Sequence, residues 1–234
     1  NVSRETQDKY ALQSQSRYAH AAEQGWIADE IVPMTVTMKV VDKESGEESL
    51  VETVVDRDEC NRPGTTMEGL SGLKPAFEES GTVTAGNASG ICDGGAAVVL
   101  TTMSSAKARG LKPIARLVSW GITGCDPTIM GIGPAESSRK ALQFAGMSLD
   151  DMDLVEVNEA FAAVVLSWMQ VYEPDIDKLN VNGGAIALGH PVGATGSRLI
   201  VTALNELERQ DKTTAYISMC CGAAVGTGTI IERI

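Results

Sequence analysis

Apolar and polar residues follow two different rhythms along this chain, and the change between them divides it. Ser3 is placed to cap a helix whose first turn holds Glu5 and whose end is marked by Gly25. That helix carries Tyr10, Ala11, Leu12 and Tyr18 among many polar residues, which predicts a surface position. Two β-rich runs follow at 31–41 and 50–55, the first alternating about Val32, Met34, Val36, Met38 and Val40. The polar stretch 42–48 between them reads as the turn of a hairpin. Residues 57–86 are broken by Pro63, Gly64, Gly69, Gly72, Pro75 and Gly81. A long irregular segment of this kind usually carries function when it is ordered.

From Gly94 onward, strands and helices alternate. The spacing predicts a buried strand at 96–100, a short helix at 104–110 with a glycine stop, and a strand at 114–121. It then predicts a helix at 137–146 and a short apolar strand at 154–157. The run 161–171 is apolar nearly all round, so this helix should be buried. A helix at 193–209 and strands at 215–219 and 225–232 close the chain. Strands alternating with helices imply an α/β layered fold. No internal repeat is visible at a period of roughly 20–50 residues.

Composition narrows the function classes. With 234 residues, 43% hydrophobic and 21% charged, the chain can bury a sizeable core. A formal net charge of −12 argues against nucleic acid as a partner, because non-specific binding needs a basic face. Five cysteines form no C-x-x-C pair, and only His20 and His190 could join them, so no metal site is expected. The odd cysteine count favours a reducing compartment. No apolar run approaches the about 20 residues needed to span a bilayer. The expected location is the cytoplasm, with mitochondria kept open because the chain starts at Asn1 rather than at a methionine.

Candidate chemistry gathers near the end of the chain. His190 is followed by Pro191 and surrounded by Gly183, Gly184, Gly189, Gly193 and Gly196. So many glycines suit a chain that turns tightly or approaches a ligand closely. A lone histidine is more often a packed or surface residue, but its pKa suits acid–base work, and a helix N-terminus is expected just beyond it, near Gly193. Gly184 and Gly189 have the gap of a phosphate-binding loop, yet His190-Pro191 stands where lysine and a hydroxyl residue belong, so a nucleotide triphosphatase is rejected. Gly131-Ile132-Gly133 continues into Pro134-Ala135-Glu136 and leaves a dinucleotide fingerprint incomplete. Cys220-Cys221 ends an expected strand just before Gly222. Two buried structural thiols fit there, and so does a thiol acting as base or nucleophile beside an oxyanion-binding amide. Asn158 opens Asn158-Glu159-Ala160-Phe161 at a strand-to-helix junction, where it either caps the helix or holds a water. Glu159 then reads as a structural carboxylate.

Taken together, these stations resemble the thiolase family. The resemblance rests on Asn158-Glu159-Ala160-Phe161, on the run from Gly183 to Pro191, and on Cys220-Cys221-Gly222. It extends over essentially the whole chain through Ser3-Arg4-Glu5-Thr6-Gln7-Asp8, Arg62-Pro63-Gly64-Thr65-Thr66, Thr84-Ala85-Gly86-Asn87-Ala88-Ser89-Gly90 and Met130-Gly131-Ile132-Gly133-Pro134. Each motif is weak alone; their joint order and spacing are specific. The resemblance implies a layered αβαβα fold, of which this chain is the C-terminal half plus part of the loop domain. It divides the chain into 1–90, the remainder of a CoA-binding loop domain, 91–110, a last strand and helix of the N-terminal half, and 111–234, the C-terminal half.

The resemblance also implies roles. His190 deprotonates a nucleophilic cysteine and, with a water held by Asn158, stabilises an enolate. Cys220, chosen over Cys221 because the family reads Cys-x-Gly, removes the α-proton of acetyl-CoA. The amide of Gly222 lines a second oxyanion hole. Ser89 meets the pantetheine arm, Met130 and Phe161 wall the acyl pocket, and Arg62 reaches a CoA phosphate or the adenine face. The implied reaction joins two acetyl-CoA to give acetoacetyl-CoA, or cleaves a 3-ketoacyl-CoA, most like the acetyl-CoA acetyltransferases. CoA thioesters are substrates, no cofactor is permanently bound, and a homodimer or tetramer is expected. Cys92 departs from the family's asparagine and Cys60 from its common histidine. Ala223 and Ala224 replace glycines, narrowing the room beside the oxyanion hole.

The nucleophile is expected outside this chain, because thiolases carry it in their first half and none of the five cysteines matches that motif. Strand 96–100 then belongs to a sheet whose other strands are absent, so the chain is not expected to fold free-standing. The missing N-terminal half is its expected partner. A non-catalytic acyl-CoA-binding or scaffold subunit is the alternative. A ketoacyl synthase fits less well, since a base cysteine is foreign to that family's usual site.

Overall fold

A computed structural model describes residues 2–234. Helix α1 (Arg4–Glu23) starts where Ser3 Oγ accepts from the amide of Thr6 at 3.1 Å and stops before Gly25, whose φ is +78°. One face lies on the surface as expected, with Glu5, Thr6, Lys9, Ser16 and His20 exposed, but the other is buried. Tyr10, Ala11, Tyr18 and Ala21 are buried, and so are the polar Gln7, Asp8, Ser14 and Gln15. Each of these polar side chains has a distant partner: Asn87 Nδ2 donates to Asp8 at 2.9 Å, and Gln15 Nε2 donates to the carbonyl of Ile186 at 3.1 Å. Burial of such groups is tolerable only because they are bonded.

Strands β1 (Met34–Val41) and β2 (Glu48–Val55) form the expected antiparallel hairpin, in register from Met34↔Val55 to Val41↔Glu48. Asp42 Oδ1 closes the turn by accepting from the Ser45 amide at 2.7 Å. The irregular stretch beyond contains one short helix, α2 (Met67–Ser71), capped by Thr66. The strand expected at 96–100 is not formed. No strand of the described residues lies beside it, so its backbone has no ladder partner, and Val99 and Leu100 are 89% and 78% exposed. The short helix after it, α3 (Met103–Ala108), forms as expected behind its Thr102 cap.

The remaining chain builds one four-stranded sheet in the order β3-β6-β5-β4, from β3 (Ala115–Gly124), β4 (Leu154–Val157), β5 (Thr214–Cys221) and β6 (Val225–Arg233). β4 and β5 run parallel; the other pairings are antiparallel. Alternation along the strands sends side chains to opposite faces. Val155, Val157, Tyr216 and Ile230 pack with α4 (Gly133–Ala145) and α5 (Ala162–Tyr172). Leu154, Ala215, Ile217 and Ile231 pack instead with Leu199, Ala203 and Leu207 of α7 (Thr195–Arg209). The result is a helix–sheet–helix sandwich. Helix α4 starts at Gly133, ahead of the expected 137, because Pro134 supplies a helix-compatible first turn. Its start also needs glycine across from it: a Cβ on Gly226 would lie 2.0 Å from the carbonyl oxygen of Gly133.

A candidate active site at the carboxyl ends of the parallel strands

Asn158 follows directly on β4, and its amide donates to the carbonyl of Ser218 on β5 at 2.9 Å. This places it at the carboxyl end of the parallel pair, where α/β sheets bind ligands. It does not cap the following helix: α5 starts at Ala162, after Phe161 in extended backbone, with no side-chain cap. Asn158 is instead fully buried. Its Nδ2 lies 3.3 Å from His190 Nε2, and its Oδ1 has no partner in the protein.

His190 reaches Asn158 through a tightly turned segment. The four-residue helix α6 (Ala185–Leu188) ends at Gly189, whose φ of +100° only glycine adopts readily. The His190 amide then donates to the carbonyl of Gly90 at 2.9 Å. On its other side, His190 Nδ1 lies 2.6 Å from Thr195 Oγ1, and that hydroxyl donates its proton to the carbonyl of Pro191 at 3.1 Å. Having spent its only proton there, Thr195 accepts from His190, which fixes the proton on Nδ1 and leaves the Nε2 lone pair facing Asn158. Burial first, and then the charge of Arg198, hold the His190 pKa below its ordinary value. The ring is therefore the neutral, proton-accepting form at neutral pH. Thr195 was not among the sequence candidates; the hydroxyl at the first residue of the helix after a His-Pro turn was the available signal.

Cys220 sits near the end of β5, buried against Ala160 and Val164, while Cys221 points to the opposite face toward Thr227. Burial, and then the adjacent Cys221, push the Cys220 thiol up. Gly222 is exposed and opens the β5–β6 turn. Ala223 and Ala224 in that turn have φ of 62° and 57°, so the glycines expected there have a backbone reason as well as a steric one.

The remaining candidates lie around this centre at different distances. The Ser89 amide and hydroxyl both donate to the carbonyl of Ala160, at 3.1 and 3.0 Å, and Ala88 bridges to Phe161. Phe161 meets Phe77 edge-on at 6.3 Å between ring centres. Met130 lies in a short 3₁₀ stretch (Pro127–Ile132) whose next residue, Gly131, faces Val164. Arg62 lines a separate cavity of about 430 Å³ together with Cys60, Gly90 and Ile186. Neither His190 nor Cys220 lines that cavity, but Gly90 and Ile186 join its wall to the His190 segment. The guanidinium of Arg62 bonds the carbonyls of Glu59 and Asn61, which holds it against its own loop.

Behind Asn158, Glu156 points to the α7 face. It is buried, with Arg198 3.9 Å away, and burial pushes its pKa up to about 8. Glu30, also buried, is pushed up to about 7. The folded protein holds both protons more tightly than the unfolded chain does. Their stabilising contribution is thus complete below ~4.3, the free glutamate value, and lost as pH rises through about 7 and 8. Thermal melts should show stability falling across that window, and Glu156→Gln should flatten the fall. An unchanged pH dependence in the variant would assign it to other groups.

Comparison with known proteins decides the family. The model described as thiolase, C-terminal domain, matches residues 111–233, and that for the thiolase N-terminal domain matches residues 1–104. The chain belongs to the thiolase family. It is 46% identical over 232 residues to the acetyl-CoA acetyltransferase of Chromobacterium violaceum, covering 99% of this chain and 57% of that thiolase relative. The crystal structure of the Bacillus anthracis acetyl-CoA acetyltransferase superposes with a TM-score of 0.88 at 44% identity, covering 100% of this chain and 57% of that one. Human mitochondrial 3-ketoacyl-CoA thiolase in complex with CoA gives 0.86 at 42% identity, with 100% and 55% coverage. The chain therefore spans little more than half the length of these thiolases. Its helix–sheet–helix sandwich is part of the layered thiolase fold. No helix among the described residues is long and apolar enough to cross a membrane, and no group of three candidate side chains among them is arranged to hold a metal.

Proposed function

We propose that this chain supplies the general-base, oxyanion-binding and CoA-contacting side of a thiolase site that moves acetyl groups between CoA thioesters. The observation that carries the proposal is the Thr195–His190–Asn158 relay, which ends in a buried Asn158 Oδ1 without a partner. A buried acceptor without a partner is costly unless a water fills the site. That water and His190 Nε2 together make an oxyanion site.

In the proposed cycle, His190 Nε2 takes the proton of a nucleophilic cysteine that is not one of the five in this chain. The thiolate attacks acetyl-CoA, the C–S bond to CoA breaks, the departing CoA sulfur takes the proton of the Cys220 thiol, and an acetyl-enzyme remains beside a Cys220 thiolate. A second acetyl-CoA then enters, and Cys220 removes its α-proton. His190, now protonated at Nε2, and the water on Asn158 stabilise the enolate oxygen. The enolate carbon attacks the acetyl-enzyme, whose oxyanion the Gly222 amide receives; the acyl–sulfur bond then breaks, acetoacetyl-CoA departs, and His190 returns its proton to the nucleophilic cysteine. The reverse direction is thiolysis of a 3-ketoacyl-CoA. Ser89, Phe161, Met130 and Arg62 are assigned to the pantetheine arm, the acyl pocket and the CoA phosphates. Residues 1–90 are assigned to a CoA-binding loop domain, 91–110 to the end of the N-terminal half and 111–234 to the C-terminal half. The N-terminal half is its partner within a homodimer or tetramer, and the cytoplasm is its place.

The test uses the native protein as its source makes it. Incubation with acetyl-CoA, followed by mass spectrometry, should show a cysteine-bound acetyl group in both the unsubstituted protein and Cys220→Ser. Condensation in the variant should fall by roughly 10²–10⁴-fold, the usual contribution of a general base. Equal loss of both steps would remove Cys220 from the role of base. CoA-ester binding with no acetyl-enzyme in the unsubstituted protein would make the chain a non-catalytic binding subunit.

A further inference from the structure

Acetyl transfer leaves Cys60 and Cys92 without a task, and the fold brings them together against one glycine. A Cβ built on Gly189 would lie 2.5 Å from Cys92 Sγ and 3.2 Å from Cys60 Sγ. The two sulfurs therefore stand no farther apart than those two distances laid end to end. Both residues lie outside helices and strands, on segments that pack side by side around Gly90 and Gly189. Their settings differ. Cys60 lines the open cavity of about 430 Å³, whereas Cys92 is not part of its wall. The backbone amide of His190 faces the Cys92 sulfur, and burial followed by the neighbouring Cys60 pushes that thiol up. A half-buried thiol on an open cavity, with a second half-buried thiol beside it, is the arrangement of an attacked and a resolving cysteine.

We infer that Cys60 and Cys92 are a modification site: a hydroperoxide oxidises Cys60, and Cys92 resolves it to a reversible disulfide. In the first step the Cys60 sulfur attacks one peroxide oxygen, the O–O bond breaks, and a sulfenic acid and one water (or alcohol) result. In the second step the Cys92 sulfur attacks the sulfenic sulfur and the S–O bond breaks. The hydroxyl leaves with the Cys92 proton as a second water. Two thiols are oxidised and one peroxide is reduced. Both cysteines lie on irregular backbone, outside the helices and strand ladders that would hold their Cα atoms fixed as the sulfurs approach. The remaining cysteines serve as internal controls, since Cys125 faces the carbonyls of Met130 and Ala224, and Cys220 and Cys221 point to opposite faces of β5.

The pair borders both the cavity lined by Arg62 and the backbone of His190, so turnover would respond to many changes there and the test reads connectivity instead. The native protein is exposed to a small excess of hydrogen peroxide, free thiols are alkylated, and the digest is mapped without reduction. Trypsin leaves both cysteines on residues 58–107, because Arg62 and Lys74 each precede a proline; a glutamyl endopeptidase then cuts between them. The expected result is a linked pair of peptides carrying Cys60 and Cys92, two hydrogens lighter than their sum, which separates on reduction. In Cys60→Ser, Cys92 should remain alkylated. Cys60 driven to sulfinic acid while Cys92 stays alkylated, or a bridge to any other cysteine, would overturn the inference. The unsubstituted protein alone decides it, whatever the variant's stability.

Discussion

His190→Ala in the native protein should lower kcat/KM for acetyl transfer by roughly 10³–10⁴-fold, with affinity for CoA little changed. The size of the effect follows from two duties on one nitrogen. In the proposed cycle Nε2 receives the thiol proton that creates the nucleophile, and the same N–H then faces the enolate oxygen. Truncation removes both, and it leaves Asn158 with neither His190 nor a protein partner for its Oδ1. Thr195→Val separates positioning from chemistry. The imidazole stays, but Nδ1–H loses its acceptor at 2.6 Å and faces a methyl group. A lost buried hydrogen bond of ~1–3 kcal/mol corresponds to a drop of about fivefold to 150-fold. The imidazolium needs partners on both nitrogens, so the acid limb of the pH–rate profile should move to lower pH. Thr195→Ser should restore both rate and profile. A Thr195→Val protein with an unshifted profile and a loss below about threefold would remove the relay from the mechanism.

Why the sequence singles out His190, Asn158 and Cys220 as candidates but not Thr195 is a matter of what folds locally. Asparagine at a strand end, histidine among glycines and cysteine before a glycine each carry a chemical signature in their own neighbourhood. Thr195 acquires its role only because the Pro191–Ala194 turn brings the first residue of α7 back onto the ring. The burial of α1 escaped for a different reason. Its inward face includes Gln7, Asp8, Ser14 and Gln15, whose partners lie far along the chain, and hydrophobic periodicity cannot register a polar face that is satisfied at long range. Residues 96–100 have the composition of a strand, but a strand is a pairing, and no neighbour among the described residues offers one. The β4–β5–β6 core was legible because its alternation, Leu154 and Val155 or Tyr216 and Ile217, is local and the two helical layers cover it on both sides. Cys60 and Cys92 were visible as separate departures from the family pattern; only the fold shows that they meet.

Glu159→Ala should cost about 3–5 kcal/mol of stability, because it strands several buried neutral donors at ~1–3 kcal/mol each, partly offset by relaxation. Glu159 is 1% exposed, and its carboxylate is the hub that ties α1, the loop after β4 and the His190 segment together. Oε1 accepts from Tyr10 Oη at 2.8 Å and Asn180 Nδ2 at 3.2 Å; Oε2 accepts from Ser14 Oγ at 2.6 Å and the Ile186 amide at 3.1 Å. Alanine strands these donors and opens a void, whereas the surrounding backbone is too tightly placed to collapse: a Cβ on Gly184 would already sit 2.6 Å from the Glu159 carboxyl carbon. For a protein of this size the loss translates into a melting temperature lower by roughly 10 °C. Glu159→Gln should fall between the two, because its amide nitrogen must face a donor, either the Ile186 amide or one of the Tyr10–Asn180 pair. The same carboxylate fixes Ile186, a few residues before His190, to the residue beside Asn158. Loss of stability and loss of the His190–Asn158 contact should therefore travel together. Urea unfolding of both variants, with activity measured below the transition, tests the coupling. A Glu159→Ala protein within 1 kcal/mol of the unsubstituted one would mean that water replaces the carboxylate at all four donors and that α1 is not held through it.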